Sequence, residues 1–425
     1  MLSNFVYDDI MKTVKCFLVC FMICCLSDVY ADNSLPGNIV DDLAAAGFEE
    51  VVCYTDQLNR LYIQYENRIY RDEIRAMSRV LDCADRHIER EQRIVLVPLT
   101  RGLVNSAVSI HLADYRAFKS HQMNEQTFFE RIHFISINIR QLKSLTGKPA
   151  NRSAGKVDIA VLPGVNFQLG NYEDRVKLNL NIYPNVSMRL WKGGNLQIQP
   201  VIPVFDEIFV AEDTYDKSVR LSRAALSQFA LLPGDFRFIA AAGAFVPDRW
   251  GVGVELNRMF FNRSLLIGGR LLRTGFLLYQ DQQWNFSTDM TGTGSVYTRM
   301  FIIPYNLSAG LQYEQFLMGD HGVTIDLARY FGETRLGFYV TRTDRDTHGG
   351  FRFTIPFSSP RHAAPGRLRL RWGEYYVWNY KASSEVYTYG GPIDTGISVQ
   401  TGTNWTNMYE RVWPACLKNN LQYFK

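Results

Sequence analysis

A period-two alternation of apolar and polar residues, repeated from about residue 157 to residue 380, is the feature that most constrains the fold. In the clearest run, Val176–Ile182, four aliphatic residues alternate with Lys177, Asn179 and Asn181. Successive side chains of a β-strand point to opposite faces, so each run forms a strand with one apolar and one polar face. Comparable runs occur at 195–199, 252–256, 323–327, 336–340 and 351–357, with turn signals between many of them. The pattern predicts an antiparallel meander.

Such a meander can close in two ways. A soluble barrel or sandwich buries the apolar face, whereas a transmembrane barrel turns that face to lipid. The strongly polar second face, the length of the segments and the aromatic residues at segment ends, such as Tyr183, Trp191 and Trp250, favour the membrane form. We therefore expect a mainly β fold, with an antiparallel transmembrane β-barrel of about 10–14 strands over residues 156–385. A secreted, soluble β protein is the alternative.

Residues 32–155 show a mixed pattern that predicts a small N-terminal α/β domain. A helix is expected over Glu73–Ile88, where apolar residues recur at helical spacing. Short strands are expected near 50–54, 61–65, 93–99 and 108–112. At the other end of the chain, residues 386–425 are rich in Gly, Thr and Asn and do not alternate, so an irregular C-terminal tail is predicted.

The first 31 residues read as a secretory signal peptide. Lys12 and Lys15 precede an apolar run over 16–26, and Val29-Tyr30-Ala31 has the form of a cleavage site, with Asp32 as the first mature residue. Eleven apolar residues span only about 16 Å as a helix, too short for a bilayer core of ~30 Å. Met11 is an alternative start of the open reading frame.

Three cysteines, Cys53, Cys83 and Cys416, follow the predicted cleavage site. An odd number excludes a disulfide framework that uses every cysteine. A Cys53–Cys83 bridge and a pair of reduced, buried thiols both remain open.

Motif searches give no support for catalysis. The sequence contains no HExxH, no G-x-S-x-G, no phosphate-binding loop and no dinucleotide fingerprint. A formal net charge of +4 is small for 425 residues and gives no reason to expect nucleic-acid binding. We therefore expect a protein that is not an enzyme and that has no cofactor and no bound metal.

Several segments, in a characteristic order, carry a family resemblance. They are SLPGN at 34–38, GFEEV at 47–51, YENRIYR at 65–71, ARYFGETRLGFYV at 328–340 and GGFRFTIPF at 349–357. Over about 35–380 the chain resembles the YjbH-type exopolysaccharide-biosynthesis family, in the shorter form of Bacteroidetes-like bacteria. The resemblance implies an outer-membrane β-barrel that assists production or export of an extracellular polysaccharide or capsule. It carries no catalytic residues over, and this chain lacks the lipid-attachment motif of many family members.

The polar faces of the alternating strands supply the candidate site. We expect them to line a lumen and to exchange hydrogen bonds with sugar hydroxyls, with Lys177, Asn179, Asn181, Gln197, Gln199, Asp326, Arg335 and Arg352 as the contact residues. The expected partners are the outer membrane, an extracellular polysaccharide and periplasmic export components. The basic stretch Arg367–Arg371 reads either as an anion-attracting stripe or as a solvated strand face. The rival functions are a general porin or structural outer-membrane protein, an outer-membrane hydrolase acting on lipid or glycan, and a secreted, soluble carbohydrate-binding protein. The hydrolase would need a nucleophile and a base within hydrogen-bond reach.

Overall fold

The computed structural model of the chain describes residues 37–104, 106–135, 148–169, 176–207, 219–246, 248–280, 283–363, 366–382, 393 and 414–425. The predicted signal peptide, with the cleavage site between Ala31 and Asp32, lies outside the described residues, as does most of the segment that follows residue 382. Among the described residues, no helix is both long enough and apolar enough to cross a membrane.

The N-terminal part forms an α/β unit. Its strands are β1 (Glu49–Thr55), β2 (Leu61–Glu66), β3 (Arg93–Thr100), β4 (Leu103–Val104), β5 (Ala107–His111) and β6 (His133–Ile135). They form one sheet in the order β1-β2-β3-β5-β6, with β4 paired to β3. Its helices are α1 (Gly37–Ala45), α2 (Glu73–His87), α3 (Leu112–Lys119) and α4 (Glu125–Arg131). Short strands and a central helix were therefore correctly anticipated in this region.

Helix α2 shows why the local sequence folds as it does. Asp72 caps its N-terminus by accepting hydrogen bonds from the backbone N–H groups of Ile74 (2.5 Å) and Arg75 (3.4 Å). Ile74, Met77 and Leu81 on one face are at most 1% exposed. This apolar stripe packs into the core of the unit, and that burial, more than helix propensity, stabilises the helix.

The rest of the described chain is dominated by one sheet of fifteen strands. The strands are β7 (Val157–Leu169), β8 (Val176–Trp191), β9 (Gly194–Asp206), β10 (Arg220–Leu232), β11 (Phe236–Phe245), β12 (Arg249–Phe260), β13 (Leu265–Gln280), β14 (Gln283–Phe286), β15 (Thr291–Ile302), β16 (Leu307–Gln315), β17 (His321–Phe331), β18 (Thr334–Thr343), β19 (Thr347–Pro356), β20 (Leu368–Trp372) and β21 (Tyr375–Ala382). The predicted mainly β architecture is confirmed.

Consecutive strands of this sheet pair antiparallel from β7 to β13 and from β15 to β19, with β13 paired to β15. Strand β14 lies off this path and pairs only with β13. The path ends with β20 beside β7, where the pairing is parallel, and with β21 beside β19. The expectation of purely antiparallel pairing is therefore wrong at β20.

The two ends of the path are close together. Only Gly373 and Glu374 separate β20 from β21. The backbone N–H of Gly373 donates to the carbonyl of Val161 on β7 (2.8 Å), and the Trp378 ring of β21 lies 6.2 Å from that of Phe167 on β7. No closed ring of paired strands is found among the described strands, because β20 pairs with β7 whereas β21 pairs with β19.

The alternation of the sequence becomes a difference in exposure. On β18 the side chains of Leu336, Phe338 and Val340 are 38%, 60% and 54% exposed, whereas Arg335 of the same strand is 7% exposed. Val254, Leu271 and Ile325 on other strands are likewise exposed. The large sheet thus presents its apolar face outward and buries its polar face, the reverse of the usual arrangement in a water-soluble core.

The two ends of the large sheet differ. At one end, called the near end, neighbouring strands are joined by the short turns 192–193, 233–235, 261–264, 303–306 and 332–333. At the opposite, far end, the connections include the longer segments 207–219 and 281–290, the second of which contains β14. The α/β unit contacts the near end: the backbone N–H of Gly193 donates to the carbonyl of Arg101 (2.9 Å).

Residues 414–425 are ordered, which corrects the prediction of an irregular tail over 386–425 for this part of it. Helix α5 (Pro414–Asn419) is followed by a 3₁₀ turn, Leu421–Phe424. Leu417, Leu421 and Phe424 are at most 2% exposed and belong to the core of the α/β unit. Their spacing is that of one helical face, so the signal was present in the sequence but short.

Candidate functional site

Four of the predicted site residues lie together on β8 and β9. Asn179, Asn181 and Gln197 are buried, and Gln199 is half-buried. The Asn181 side-chain amide donates to the Asn179 carbonyl oxygen and to the Tyr183 hydroxyl (3.3 Å). The Gln199 carbonyl oxygen accepts from Arg223 of β10 (3.1 Å). These four residues are called the amide wall. Their side-chain amides can both donate and accept hydrogen bonds, and half-buried Lys177 lies at the far end of β8.

A second set gathers on β15 to β19 and includes the other three predicted residues. Asp326, Arg335 and Arg352 lie with Arg299 and Tyr339, two residues that the sequence reasoning missed, and these five are called the arginine cluster. Arg299 Nη2 is 3.4 Å from Asp326 Oδ1, and the charges of all three guanidinium groups act on Asp326. The Arg352 guanidinium lies over the Tyr339 ring at 4.6 Å. Asp326, Arg335, Tyr339 and Arg352 also line a small cavity.

Glycines on adjacent strands make room for these long side chains. Asp326 is paired across the sheet with Gly310, Arg352 with Gly337, and Tyr339 with Gly350. A Cβ at Gly310 would lie 2.2 Å from Asp326 Oδ1, and one at Gly350 would lie 2.9 Å from the Tyr339 hydroxyl. The side chains of Asp326 and Tyr339 therefore lie across a neighbouring glycine.

A third polar group lies on β12, β13, β15 and β16. Arg270 forms a buried ion pair with Glu314 (2.9 Å), and the Tyr297 hydroxyl donates to Glu255 (2.6 Å). Arg270 also donates to the backbone carbonyl of Ile393 (3.0 Å), whose side chain is 2% exposed. The segment after β21 therefore touches the inner face at this point. Sequence reasoning missed these residues, although their positions on the polar side of each strand could have identified them.

At the near end the inner face becomes apolar. Phe229, Ile239, Leu266, Phe301 and Tyr330 are all buried in one cluster. Leu103 from the α/β unit and Cys416 from helix α5 pack against it. Polar networks therefore line the middle of the inner face, whereas apolar side chains and the α/β unit cover its near end.

Buried ion pairs join the α/β unit to the large sheet. Arg189 of β8 contacts Glu50 (2.9 Å) and Glu66 (2.8 Å). Burial by itself would raise the pKa of Glu66, but the charges of Arg68 and Arg189 outweigh it and lower the pKa. Arg369 of β20 contacts Glu49 at 2.6 Å. Carboxylates of one unit thus neutralise arginines of the other.

The contacts of Arg369 and Arg371 bear on the two interpretations of the basic stretch 367–371, an anion-attracting stripe or a solvated strand face. The Arg369 guanidinium contacts Asp158 (2.7 Å) in addition to Glu49, while Arg371 contacts Glu374 (3.2 Å). Leu368 and Leu370 are 65% and 71% exposed. The arginines of this strand are therefore engaged with carboxylates, and the leucines face outward.

A second ion pair joins the units beside the C-terminal segment. Arg71 Nε is 2.6 Å from Glu333 Oε2, and both side chains are 6% exposed. The hydroxyls of Tyr375 (3.2 Å) and Tyr423 (3.1 Å) donate to the same carboxylate. Burial would raise the pKa of Glu333, but the hydrogen bonds and charge of Arg71 outweigh it and lower the pKa. Glu333 therefore ties together the α/β unit, the β17–β18 turn and the C-terminus.

The three cysteines that the structure describes are free thiols. Cys53 and Cys83 are buried, and Cys416 is half-buried. Burial, with a smaller effect of Cys83, raises the pKa of Cys53 to about 12, which keeps this thiol protonated and unreactive. Within the described residues, Asp42, Cys83 and His87 form a group whose ligand atoms lie within 4.8 Å of one another. His87 forms a hydrogen bond with Asp42 at 2.9 Å, and the Arg86 guanidinium lies 3.7 Å from the same carboxylate, so Asp42 is already engaged by protein groups.

Comparison with known proteins finds one family. A family model described as exopolysaccharide biosynthesis protein YbjH, of the YjbH family, matches residues 31–362, which is most of the chain. No curated protein matches the chain. The matched range begins just before the α/β unit and runs beyond strand β19, so it includes both the amide wall and the arginine cluster.

Proposed function

The chain belongs to the YjbH family of exopolysaccharide biosynthesis proteins. We propose that it acts in exopolysaccharide biosynthesis as an outer-membrane β-barrel. In this proposal the large sheet forms the barrel wall, and the polar inner face forms a lumen that assists production or export of the polysaccharide. The role is physical passage or handling of sugar chains, and no chemical step is assigned to the protein.

The observation that carries the proposal is the exposure of whole rows of apolar side chains. Leu271, Val296 and Phe338 are 66%, 62% and 60% exposed, and they lie on strands whose opposite faces bury arginines and carboxylates. Exposed apolar patches of this extent are unfavourable in water, whereas a lipid-facing wall requires them. A soluble carbohydrate-binding β protein would place the apolar rows inside, so this arrangement argues against that rival.

Barrel closure is proposed from the ends of the sheet path. Strands β20 and β21 are consecutive in the chain, yet they pair with β7 and β19 at opposite ends of the path. The two residues between them, Gly373 and Glu374, let one segment bond first to one edge and then to the other. Such a bridged seam would cover the strand edges that a membrane-spanning sheet cannot leave exposed to lipid.

The orientation follows from the connections. Outer-membrane barrels have short periplasmic turns and longer extracellular loops. The α/β unit lies against the short turns of the near end, for example at 192–193 and 332–333. We therefore assign the α/β unit to the periplasm, where it is available to export components, and the predicted signal peptide provides the route to that compartment.

The deciding experiment combines cell fractionation with a secretion assay. We expect the full-length protein in the outer-membrane fraction, with a gel mobility that changes on boiling, and we expect its deletion to reduce extracellular polysaccharide. Recovery in the soluble periplasm without a mobility shift would contradict the membrane assignment. Outer-membrane recovery with unchanged polysaccharide and unselective ion conductance would instead favour a general porin.

A further inference from the structure

The α/β unit contacts the near end of the large sheet at separate points along the strand path. Toward the start of the path, its Glu50 and Glu66 pair with Arg189 of β8, at 2.9 and 2.8 Å. Toward the other end of the path, its Arg71 pairs with Glu333 in the β17–β18 turn, at 2.6 Å. The unit is therefore attached to strands that are far apart in the sheet.

Helix α5 adds contacts between these two regions. Its residue Leu417 belongs to the apolar core of the α/β unit, while Cys416 next to it packs against the apolar cluster of the inner face. The helix also contacts the turn Ile303–Tyr305 between β15 and β16. The α/β unit, together with α5, therefore meets the near end on several sides rather than along one edge.

The β3–β4 turn is the part of the α/β unit that reaches the inner face. Leu103 packs against the apolar cluster there, and the Arg101 guanidinium lies over the Phe229 ring at 4.5 Å. Phe229, Leu266 and Phe301 come from β10, β13 and β15 and are at most 5% exposed, although they lie on the inner face. The near end is therefore closed to solvent at these strands.

A sugar chain cannot cross such a closure. Its hydroxyls form hydrogen bonds with water or with the polar side chains farther inside, whereas an apolar cluster offers them no partners, and a polar group buried without a partner costs free energy. We propose that the α/β unit is a plug that closes the near end at rest and must move away from it to let polysaccharide pass. This inference rests on the proposed function, to which it adds the control of the path.

The contacts that hold the plug suit reversible docking. Ion pairs such as Arg369–Glu49 (2.6 Å) can exchange their partners for water when the two parts separate, and polar interfaces between parts of one chain commonly allow relative motion. The apolar packing of Leu103 favours the closed state, because separation exposes this side chain to water. The chain passes directly from Lys156 of the unit to Val157 of β7, so the plug stays tethered when it moves.

The first test locks the plug in place. The double variant Arg101→Cys/Lys192→Cys puts two thiols at one contact, because the backbone N–H of Gly193 donates to the Arg101 carbonyl (2.9 Å) and Lys192 is exposed. We expect a short, reducible bismaleimide cross-linker, applied to cells that carry this variant, to stop polysaccharide secretion, and we expect reductant to restore it. The two single variants are the controls, and the reagent should leave their secretion unchanged. They also report any reaction of half-buried Cys416.

The second test releases the plug. Leu103→Asp places a carboxylate against the apolar cluster, so we expect the purified full-length variant to be open in planar bilayers for roughly tenfold or more of the time that the wild type is open. Leu103→Ser is the milder variant and should act in the same direction. The matched control is Leu58→Asp, because Leu58 is 71% exposed in another turn of the same unit, and it should conduct as the wild type does. The heat-dependent gel mobility shows whether each variant is folded.

Two results would overturn the inference. One is unchanged secretion by the cross-linked double variant, and the other is a conductance of the folded Leu103 variants equal to that of the wild type and of Leu58→Asp.

The outcomes separate this inference from the proposed function. If deletion of the protein reduces extracellular polysaccharide but cross-linking does not, the export role stands and the plug is refuted. If deletion leaves polysaccharide unchanged but Leu103→Asp opens the barrel, the plug stands and the proposed cargo is refuted.

Discussion

At the scale of single residues, buried charge decides much of the behaviour of the α/β unit. Asp72 caps helix α2 and is 7% exposed. Burial, and then the negative charge of Glu333, raises the pKa of Asp72 to about 6, although its two backbone hydrogen bonds and Arg75 act in the other direction. The carboxylate that caps the helix therefore lowers the stability of the fold when it is ionised at neutral pH.

The sign of its pH effect follows from that shift. A carboxyl whose pKa is higher in the folded state than in the unfolded state destabilises the fold when it is ionised. This penalty declines as pH falls from about 6 towards the unfolded pKa of ~3.9. We expect Asp72→Asn, which preserves the cap, to remove a penalty of up to ~3 kcal/mol at pH above 7. Amide hydrogen exchange of helix α2, compared at pH about 5 and about 7.5, measures this difference. If the variant shows the same pH dependence as the wild type, the ionised Asp72 is not the cause.

At the scale of elements, the inner glycines set the spacing of the strands. Gly350 of β19 lies opposite Tyr339, and a Cβ there would come within 1.9 Å of the Tyr380 carbonyl oxygen on β21. Such a contact cannot be relieved by rotating a flexible side chain, because the oxygen belongs to the backbone of a paired strand.

We therefore expect Gly350→Ala to disrupt the β19–β21 pairing and to lower the fraction of protein that shows the folded gel mobility. Overpacking of this kind costs roughly 1–3 kcal/mol or more. Gly292→Ala is the control, since a Cβ at Gly292 would meet nothing within 4 Å. Equal folded fractions of the two variants would mean that the close approach at Gly350 is not a constraint on the sheet.

The outer rows of the strands give the element-level test of the membrane proposal. Leu271 of β13 is 66% exposed and lies among the outward residues Val254 and Val296. In a lipid-facing wall, Leu271→Arg should lower the free energy of unfolding by up to ~2–4 kcal/mol. On a water-exposed surface it should lower it by less than about 0.5 kcal/mol.

The comparison variant is Leu58→Arg. Leu58 is 71% exposed in the turn between β1 and β2 of the α/β unit, and we expect no effect there. Folding yield in detergent or lipid vesicles, read from the heat-dependent mobility shift, compares the two. Equal tolerance of arginine at both positions would contradict a lipid-facing β13.

At the scale of the whole molecule, long-range ion pairs join the α/β unit, the large sheet and the C-terminus. Glu333 receives hydrogen bonds from Arg71, Tyr375 and Tyr423, which are far apart in the sequence. Because its pKa is lowered, its contribution to stability is present at neutral pH and is lost as pH falls through that pKa.

Glu333→Gln leaves Arg71 buried without a full counter-charge. We expect a loss of roughly 3–5 kcal/mol in the docking of the C-terminal segment, which is the usual effect of removing one partner of a buried pair. Hydrogen exchange of helix α5 measures it. The control Asp114→Asn breaks the exposed pair with Arg131 and should cost less than ~1 kcal/mol. An unchanged exchange rate in Glu333→Gln would mean that apolar packing of Leu417, Leu421 and Phe424 alone holds the segment.

The local sequence by itself determined the strands, their polar and apolar faces, and helix α2 with its Asp72 cap. These features depend on residues two to four positions apart, and the backbone geometry of each element converts that spacing directly into a face. Asn179, Asp326 and Arg335 could be selected as inner-face residues for this reason.

Only the tertiary structure decided which strands bring such residues together. Arg299 joins Asp326 and Arg352 because β15 to β19 are neighbours in the sheet, and Glu333 meets Arg71 and Tyr423 only when the α/β unit docks on the near end. The parallel pairing of β20 and the burial of Phe424 are likewise contacts between distant parts of the chain. Alternation fixes which side of a strand is polar, but the long-range packing of the whole chain determines what that side faces.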